Sequence, residues 1–402
     1  MDGSRKKKVN LYSFILVLGI IMVAFNLRPS ITSVGPLMGV IRDDLGLSNW
    51  SAGLLTSLPL VAFAVISPVA PKLGNRFTNE STLLLGLTIL FIGISVRSVS
   101  FILLVFLGTL LVGVGIAICN VLLPGIIKEK FPTKVALMTS TYSTAMGIFA
   151  ATASGLSIPL ASGMGLGWQM ALLVWATPAV IGIVLWMYIS RKDKTDNGME
   201  VKAVELADNR MWKSPLAWQV AGFMGLQSFL FYVTISWLPE ILHDYGVSMA
   251  TAGWMLSFTQ FVGLPASFLV PVIAGRFRSQ RGVAFVLCCF AAAGYGGLII
   301  GNSYAVMIVC TVLIGIALSG SFALALAFLG MRAKTSRHAA ELSGMAQSVG
   351  YVLAALGPMF IGYLYDLTGS WNYPLLTLIG VTAAISLFGM GAGRDKYVLD
   401  DA

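Results

Sequence analysis

The stretch Asp44-Leu-Gly46-Leu-Ser48-Asn-Trp-Ser-Ala52-Gly53 opens an apolar run that closes on Pro71-Lys-Leu-Gly-Asn-Arg76-Phe77, and the chain carries this pattern twice. Laid without a gap over residues 244–277, residues 44–77 agree at ten of 34 positions. These are Asp44, Gly46, Ser48, Ala52, Gly53, Ser57, Ser67, Pro71, Arg76 and Phe77. Two apolar helices share Leu and Ala through composition alone. Agreement in the flanking Asp-x-Gly-x-Ser and Pro-x4-Arg-Phe needs common architecture, so the chain is read as an internal repeat. An offset of 200 in 402 residues makes each copy half of the chain.

Each half is too apolar to fold in water. The chain is 57% hydrophobic and 11% charged, with a mean hydropathy of +0.85, whereas soluble domains carry roughly 25% charged residues. A disordered chain, a coiled coil, a secreted disulfide scaffold and a nucleic-acid binder are excluded by the same numbers. Cys119, Cys288, Cys289 and Cys310 lie inside apolar stretches and read as small buried hydrophobes; with only two histidines, no metal or cofactor site is expected. What remains is an all-α membrane protein embedded in the lipid bilayer.

A crossing helix needs about 20 apolar residues. Such runs occupy 11–41, 50–71, 81–99, 101–127, 135–160, 166–190, 216–239, 250–274, 282–301, 303–330, 341–366 and 372–393, twelve in all. The first, preceded by Arg5-Lys-Lys-Lys8, is too long and lacks the small-residue cleavage site of a signal peptide, so it reads as an uncleaved span. With a cytoplasmic N-terminus, 23 basic residues fall in cytoplasmic segments and two, Arg42 and Arg97, in outside loops. That bias fixes the orientation, places both termini in the cytoplasm, and explains the net charge of +9 as topology. The charged segment 191–215 divides the chain into an N-terminal six-helix bundle, 1–190, and a C-terminal one, 216–402.

One basic residue is left over. Arg28 lies 17 residues after Leu11, about 26 Å along a helix, and no Asp or Glu falls in the middle of any span. A charge at mid-bilayer costs at least about 2.5–3.5 kcal/mol. Two arrangements meet that cost. Arg28 faces a watered cavity or a guest that supplies electron density, or it serves structure alone, snorkelling to the outer surface or tied to backbone carbonyls freed by Pro29. The absence of a nearby carboxylate favours the cavity, and Pro29 and Gly35-Pro36 would bend the span there.

Other polar residues at span centres fit one lining. Thr139, Tyr142, Ser143 and Met146 share a face of span 5; Gln227 and Phe231 share one in span 7, beside Ser228 and Tyr232. Span 11 offers Gln347 and Tyr351, span 4 Asn120 and span 8 Gln260. Ser143, Ser228 and Ser348 suit interhelical hydrogen bonds, while Asn120, Tyr232, Gln227 and Gln260 suit a cavity. Trp237 is either an interfacial anchor or a gate. Arg76 and Arg276, at the ends of the repeated run, either latch helix ends or only anchor topology.

Parallel repeats of six spans resemble the plan of the major facilitator fold. Its loop 2–3 signature, Gly-x3-Asp-Arg-x-Gly-Arg-Arg/Lys, is only partly kept in Pro71-Lys-Leu-Gly-Asn75-Arg76-Phe-Thr-Asn-Glu80, where Asn75 replaces the acid. Within that superfamily, Asn26-Leu-Arg28-Pro-Ser-Ile-Thr-Ser-Val-Gly-Pro36 is similar to the first-span motif of the cyanate porter family, which includes nitroimidazole transporters. Asn120-Val-Leu-Leu-Pro124, Gly167-Trp168, Gly225-Leu-Gln-Ser-Phe-Leu-Phe-Tyr232 and Trp237-Leu-Pro-Glu240 extend the resemblance over most of the chain. It implies a bacterial inner-membrane secondary transporter for small planar compounds, cyanate-like anions or nitro-heterocycles.

The expected function is therefore alternating access around Arg28, with Asn120, Tyr142, Gln227, Tyr232, Gln260, Gln347 and Tyr351 completing a small-molecule site in a monomer. Coupling to protons would run through Glu240, Glu341 or the substrate; uncoupled facilitated diffusion is the alternative, and a transporter-shaped ligand sensor a further one. His243 and His338 stand at span ends and no Walker-type loop is present, which argues against an enzyme or a nucleotide-driven pump.

Overall fold

The computed structural model describes residues 2–67, 69–131, 135–196, 209–301, 303–334 and 336–399. Among these residues, twelve helices are long and apolar enough to cross a membrane. In the first half, the first span is broken into α1 (Asp2–Leu27), α2 (Pro29–Thr32) and α3 (Val34–Leu45). There follow α4 (Asn49–Ile66), α5 (Ala70–Phe77), α6 (Asn79–Arg97), α7 (Ile102–Lys130), α8 (Val135–Ile158), α9 (Gly167–Leu173) and α10 (Ala176–Asp196). The second half holds α11 (Pro215–Asp244), α12 (Met249–Gly275), α13 (Arg281–Ile300), α14 (Tyr304–Met331), α15 (Ser336–Thr368) and α16 (Asn372–Ala392). The segment 197–208 between α10 and α11 lies outside the described residues.

The repeated residues do the same work in both halves. Gly46 and Gly246 take φ of 63° and 91° just beyond α3 and α11, a region where a Cβ is penalised. Ser48 and Ser248 cap the next helices, accepting from the backbone N–H of Ser51 and Thr251, which satisfies an amide the helix leaves orphaned. Asp44 accepts the Trp168 indole N–H at 2.8 Å, and Asp244 accepts that of Trp371 at 2.6 Å. In each half, the repeated acid thus ties the turn to the start of the half's last span.

The duplication reaches the other end of the molecule too. The buried Glu80 pairs with Lys130 at 2.9 Å. Offset by 200 from Glu80, the buried Gln280 accepts from the Arg332 guanidinium. An ion pair in one half is matched by an amide–guanidinium bond in the other, each joining the start of a third span to the end of a fourth.

Packing exchanges the repeats. α4 lies along α15, and α8 along α12; since α4 corresponds to α12 and α8 to α15, the two seams are one contact made twice. α3 meets α11 beside the axis. At Gly35 a Cβ would lie 2.0 Å from the Ile235 carbonyl oxygen, and at Gly53 one would lie 2.6 Å from that of Pro358. Expected as a bending point, Gly35 instead permits close approach; the breaks fall at Arg28 and Ser33.

Two further expectations are corrected. The second span stops at Ile66, short of residue 71, and α5 follows as a separate helix. Arg97, expected in an outside loop, ends α6 at 1% exposure and donates to the Ser30 carbonyl at 2.6 Å. Glycines at 93 and 108 bring α6 and α7 so close that a Cβ at 108 would lie 2.3 Å from the Arg97 nitrogen. The buried Arg97 guanidinium thus lies against the broken first span that carries Arg28.

Candidate functional site

Arg28 stands at the break between α1 and α2, as the N-cap residue of α2. Its carbonyl accepts from the backbone N–H of Ile31 and Thr32 and from the Thr32 hydroxyl, so the break is held by backbone bonds. The side chain is half-buried, and among the described residues it has no hydrogen-bond acceptor and no carboxylate. It meets aromatic faces instead: its Cζ lies 5.0 Å from the centre of the Phe231 ring and 5.7 Å from that of Phe322. It also acts electrostatically on Tyr232 and Tyr351. These tyrosines, from α11 and α15, pack against the core of the other half. Cation–π contacts contribute about 0.5–2 kcal/mol, less than a buried guanidinium costs, and they leave its N–H donors unspent.

Asn120, on α7, is half-buried and has no hydrogen-bond partner among the described residues. Gln260 is half-buried and donates to Ser154 Oγ at 3.0 Å across the halves; Ser154 in turn donates to the Thr32 carbonyl, in the broken span. Gln347 is half-buried with its amide on Ser343 of its own helix at 2.8 Å, and Tyr351 packs edge-on against Phe63 at 5.3 Å. Tyr142 is half-buried against the first-half core. The side chains of Thr139 and Ser143 lie outside the described set.

Gln227 departs from the cavity reading. It is 1% exposed, with its amide donating to the Leu318 carbonyl of α14 and accepting from Ser228. One face of α11 carries both Gln227 and Phe231, and that face looks at α14; only at the level of Phe231 and Phe322 does it meet Arg28. Trp237 is fully buried and donates to the Pro358 carbonyl at 2.8 Å, which departs from the interfacial-anchor reading. Arg76 and Arg276 are exposed, and neither makes an ion pair among the described residues, so no latch is formed in this state.

The polar closure lies at the Asp44/Asp244 end. Arg42 bonds the Glu240 carboxylate at 3.3 Å and Asn49 at 2.7 Å. Asp366 accepts from the Asn49 side chain at 2.7 Å and from the backbone N–H groups of Asn49 and Trp50, capping α4 from across the seam. Ser236 donates to Thr56 at 2.7 Å one level deeper. Glu240 is 4% exposed, and its second oxygen has no partner among the described residues. From sequence, Glu240 reads as a candidate proton carrier at a span end and Arg42 as a loop cation, while Asp366 and Phe322 carry no signal of their own.

These features match known proteins. The Major Facilitator Superfamily model matches residues 14–295 and 225–397. The chain is 49% identical to the uncharacterized transporter YycB of Bacillus subtilis, over 99% of this chain and 98% of that one. It is 41% identical to the 2-nitroimidazole transporter of Escherichia coli over 96% of each chain, and 25% identical to the cyanate transport protein CynX of that organism over 91% and 95%. A point mutant of the nucleoside transporter NupG superposes with a TM-score of 0.77 at 14% identity, covering 94% of this chain and all of that one. A bacterial homologue of the lysosomal transporter Spinster, solved inward-facing and occupied, gives 0.74 at 16% identity over 95% and 94%. The chain belongs to the Major Facilitator Superfamily, in the family of the cyanate and 2-nitroimidazole transporters, and is a multi-pass secondary transporter of small molecules.

Proposed function

We propose that the protein moves a small anionic or electron-rich organic compound, a cyanate-like anion or a nitro-heterocycle, by alternating access, with Arg28 as the central binding cation. The observation that carries this reading is the Arg28 guanidinium, deep in the membrane between Phe231 and Phe322, with no acceptor among the described residues. A planar guest seated there would take up the unspent N–H donors in paired contacts and lie against aromatic faces. Tyr232 and Tyr351, within electrostatic reach of Arg28, would orient it, with Asn120, Gln260, Gln347 and Tyr142 completing the site on this reading. The named substrates of the two relatives, 2-nitroimidazole and cyanate, fit this chemistry.

The excess of basic residues at the Arg76/Arg276 end supports a cytoplasmic location for that end and for both termini, in a bacterial inner membrane. The closed Asp44/Asp244 end is then external, and this conformation is sealed to the outside. The protein works as a monomer on this reading, its two halves supplying all the named groups. No carboxylate adjoins Arg28 among the described residues, which favours facilitated diffusion, or protons carried on the substrate, over a dedicated proton carrier in the site.

The test is transport and thermal stabilisation by 2-nitroimidazole and cyanate in purified wild-type and Arg28→Ala protein. Loss of a charge-assisted contact removes about 1.5–3 kcal/mol, so affinity is expected to fall roughly 10- to 150-fold. Wild-type response from a folded, inserted Arg28→Ala protein overturns the role of Arg28; an unaltered accumulation under an imposed pH gradient supports the uncoupled mode.

A further inference from the structure

α12 and α13 both pack on α14, yet between them an apolar groove of about 630 Å³ stays open, with Ile316 of α14 among its lining residues. Its walls include Pro265, Leu269 and Ile273 from α12 and Val283 and Val286 from α13. Along α12 it runs from Val262 to Ile273, about 17 Å of helix, and it reaches Phe277 just beyond; one leaflet of hydrocarbon is about 15 Å thick. The other half is built differently at the corresponding place. There the span ends at Ile66, and α5 lies against α6 and α7, whereas α12 continues unbroken to Gly275.

The mouth of the groove, at Phe277, Ser279 and Gly282, is strongly basic. Arg276, Arg278 and Arg281 are all exposed and have no ion-pair or hydrogen-bond partner for their side chains among the described residues. The chain beyond α16 is tied to this loop, since Gly393 accepts from Ser279 Oγ and from the Gln280 backbone N–H. It adds Arg394 and Lys396, against one described acid there, Asp395. An apolar slot one leaflet long that ends in a cluster of unspent guanidinium groups is complementary to one kind of molecule, an amphiphile with an acyl chain and an anionic head.

We propose that this groove is a binding site for an anionic phospholipid, its acyl chain between α12 and α13 and its phosphate held by Arg276, Arg278 and Arg281. A lipid seated there packs against the proline-bearing stretch of α12, whose opposite neighbour is α8 across the seam. Retention of this lipid therefore reports on a helix that takes part in the contact between the halves.

The test is native mass spectrometry of the full-length protein released from detergent with phosphatidylglycerol or phosphatidylcholine of identical acyl chains. Preferential retention of phosphatidylglycerol is expected. Each basic residue near an anionic surface is worth about 1 kcal/mol, so Arg278→Gln should lower retention roughly fivefold and Arg276→Gln/Arg278→Gln/Arg281→Gln should abolish the preference. Gly282 has open space around its missing Cβ, so Gly282→Phe is expected to fold, block the mouth and displace the lipid with all three arginines intact. The control Arg210→Gln/Lys213→Gln, in the segment before α11, should retain phosphatidylglycerol as wild type does. Equal retention of the two lipids, an unaffected Gly282→Phe protein, an equal loss in the control, or full displacement by water-soluble glycerol phosphate lacking a tail would each overturn the assignment.

Discussion

Among the polar side chains near the middle of the bilayer, what separates a binding group from a structural one is whether its hydrogen-bonding capacity is spent. Arg28 and Asn120 have unspent donors among the described residues, whereas Gln227 is committed to Leu318 and Ser228. Opposite phenotypes follow. Asn120→Ala should leave thermal stability within about 0.5 kcal/mol of wild type while weakening the stabilisation by 2-nitroimidazole. Gln227→Ala should lower stability by about 1 kcal/mol or more, because it strands a buried carbonyl, and should keep the ligand response of the protein that remains folded. Both are read from one melting experiment with and without ligand. The rings around Arg28 make a graded case: Phe231→Leu removes a contact of about 0.5–2 kcal/mol, so affinity should drop between about 2- and 30-fold without loss of insertion. Arg28 was legible in the sequence because a lone charge in an apolar run has no other explanation than function or strain. Gln227 was not, since an amide facing a neighbouring helix and an amide facing a cavity leave the same mark on a helical wheel. Phe322 leaves no mark at all, because an aromatic residue in a membrane helix is unremarkable until a cation is found over it.

For the elements, the repeat foretold more than the number of spans. Asp-x-Gly-x-Ser recurs because each position has a job at a helix boundary: an indole acceptor, a left-handed turn and an N-cap. Those jobs depend on local backbone geometry, which sequence encodes directly. What the sequence concealed was how tightly elements approach. Gly35 reads from sequence as a bend and Gly53 only as a repeated position, yet each faces a backbone carbonyl of the other half at a distance no side chain survives. A backbone carbonyl cannot rotate aside as a side chain does. Gly35→Ala is therefore expected to push α3 off α11 and disfavour the conformation sealed at the Asp44/Asp244 end, whereas Gly380→Ala, with open space around its Cβ, should be silent. Limited proteolysis and labelling from the external face measure this. Equal behaviour of the two variants would show that α3 and α11 do not need to touch for the cycle to run.

The whole molecule is sealed by very few polar contacts across its two-fold. Arg42–Glu240 and Asn49–Asp366 close the external end, and Ser236–Thr56 and Gln260–Ser154 lie deeper along the seams. The sequence showed the two halves but not this seal, because its partners are about 200 and 317 residues apart and sit near helix ends that hydropathy cannot pair. Burial works to discharge Arg42, but the hydrogen bond to Asp43 and the charge of Glu240 outweigh it and hold the guanidinium above the usual arginine range. Arg42 therefore stays charged at every accessible pH, and a pH response of the seal would come through the groups that face it: Glu240, Asp43 and Asp244 nearby, His243 whose charge also acts on Glu240, and Asp366 through Asn49. Protonating a carboxylate removes a charged acceptor, so acidification outside should loosen the seal, and alkalinisation should not. A Thr56→Cys reporter, with the four native cysteines replaced by serine, lies behind the seal at a position 0% exposed in this conformation. Its labelling by an impermeant maleimide should be slow at neutral pH and should accelerate as the external medium is made acidic. Glu240→Gln should raise the neutral rate roughly fivefold for each kcal/mol removed from the closed state and flatten the pH response. A Glu240→Gln protein that still labels slowly, and still accelerates on acidification to the wild-type extent, would move the seal's control away from the Arg42 pair and onto Asp366.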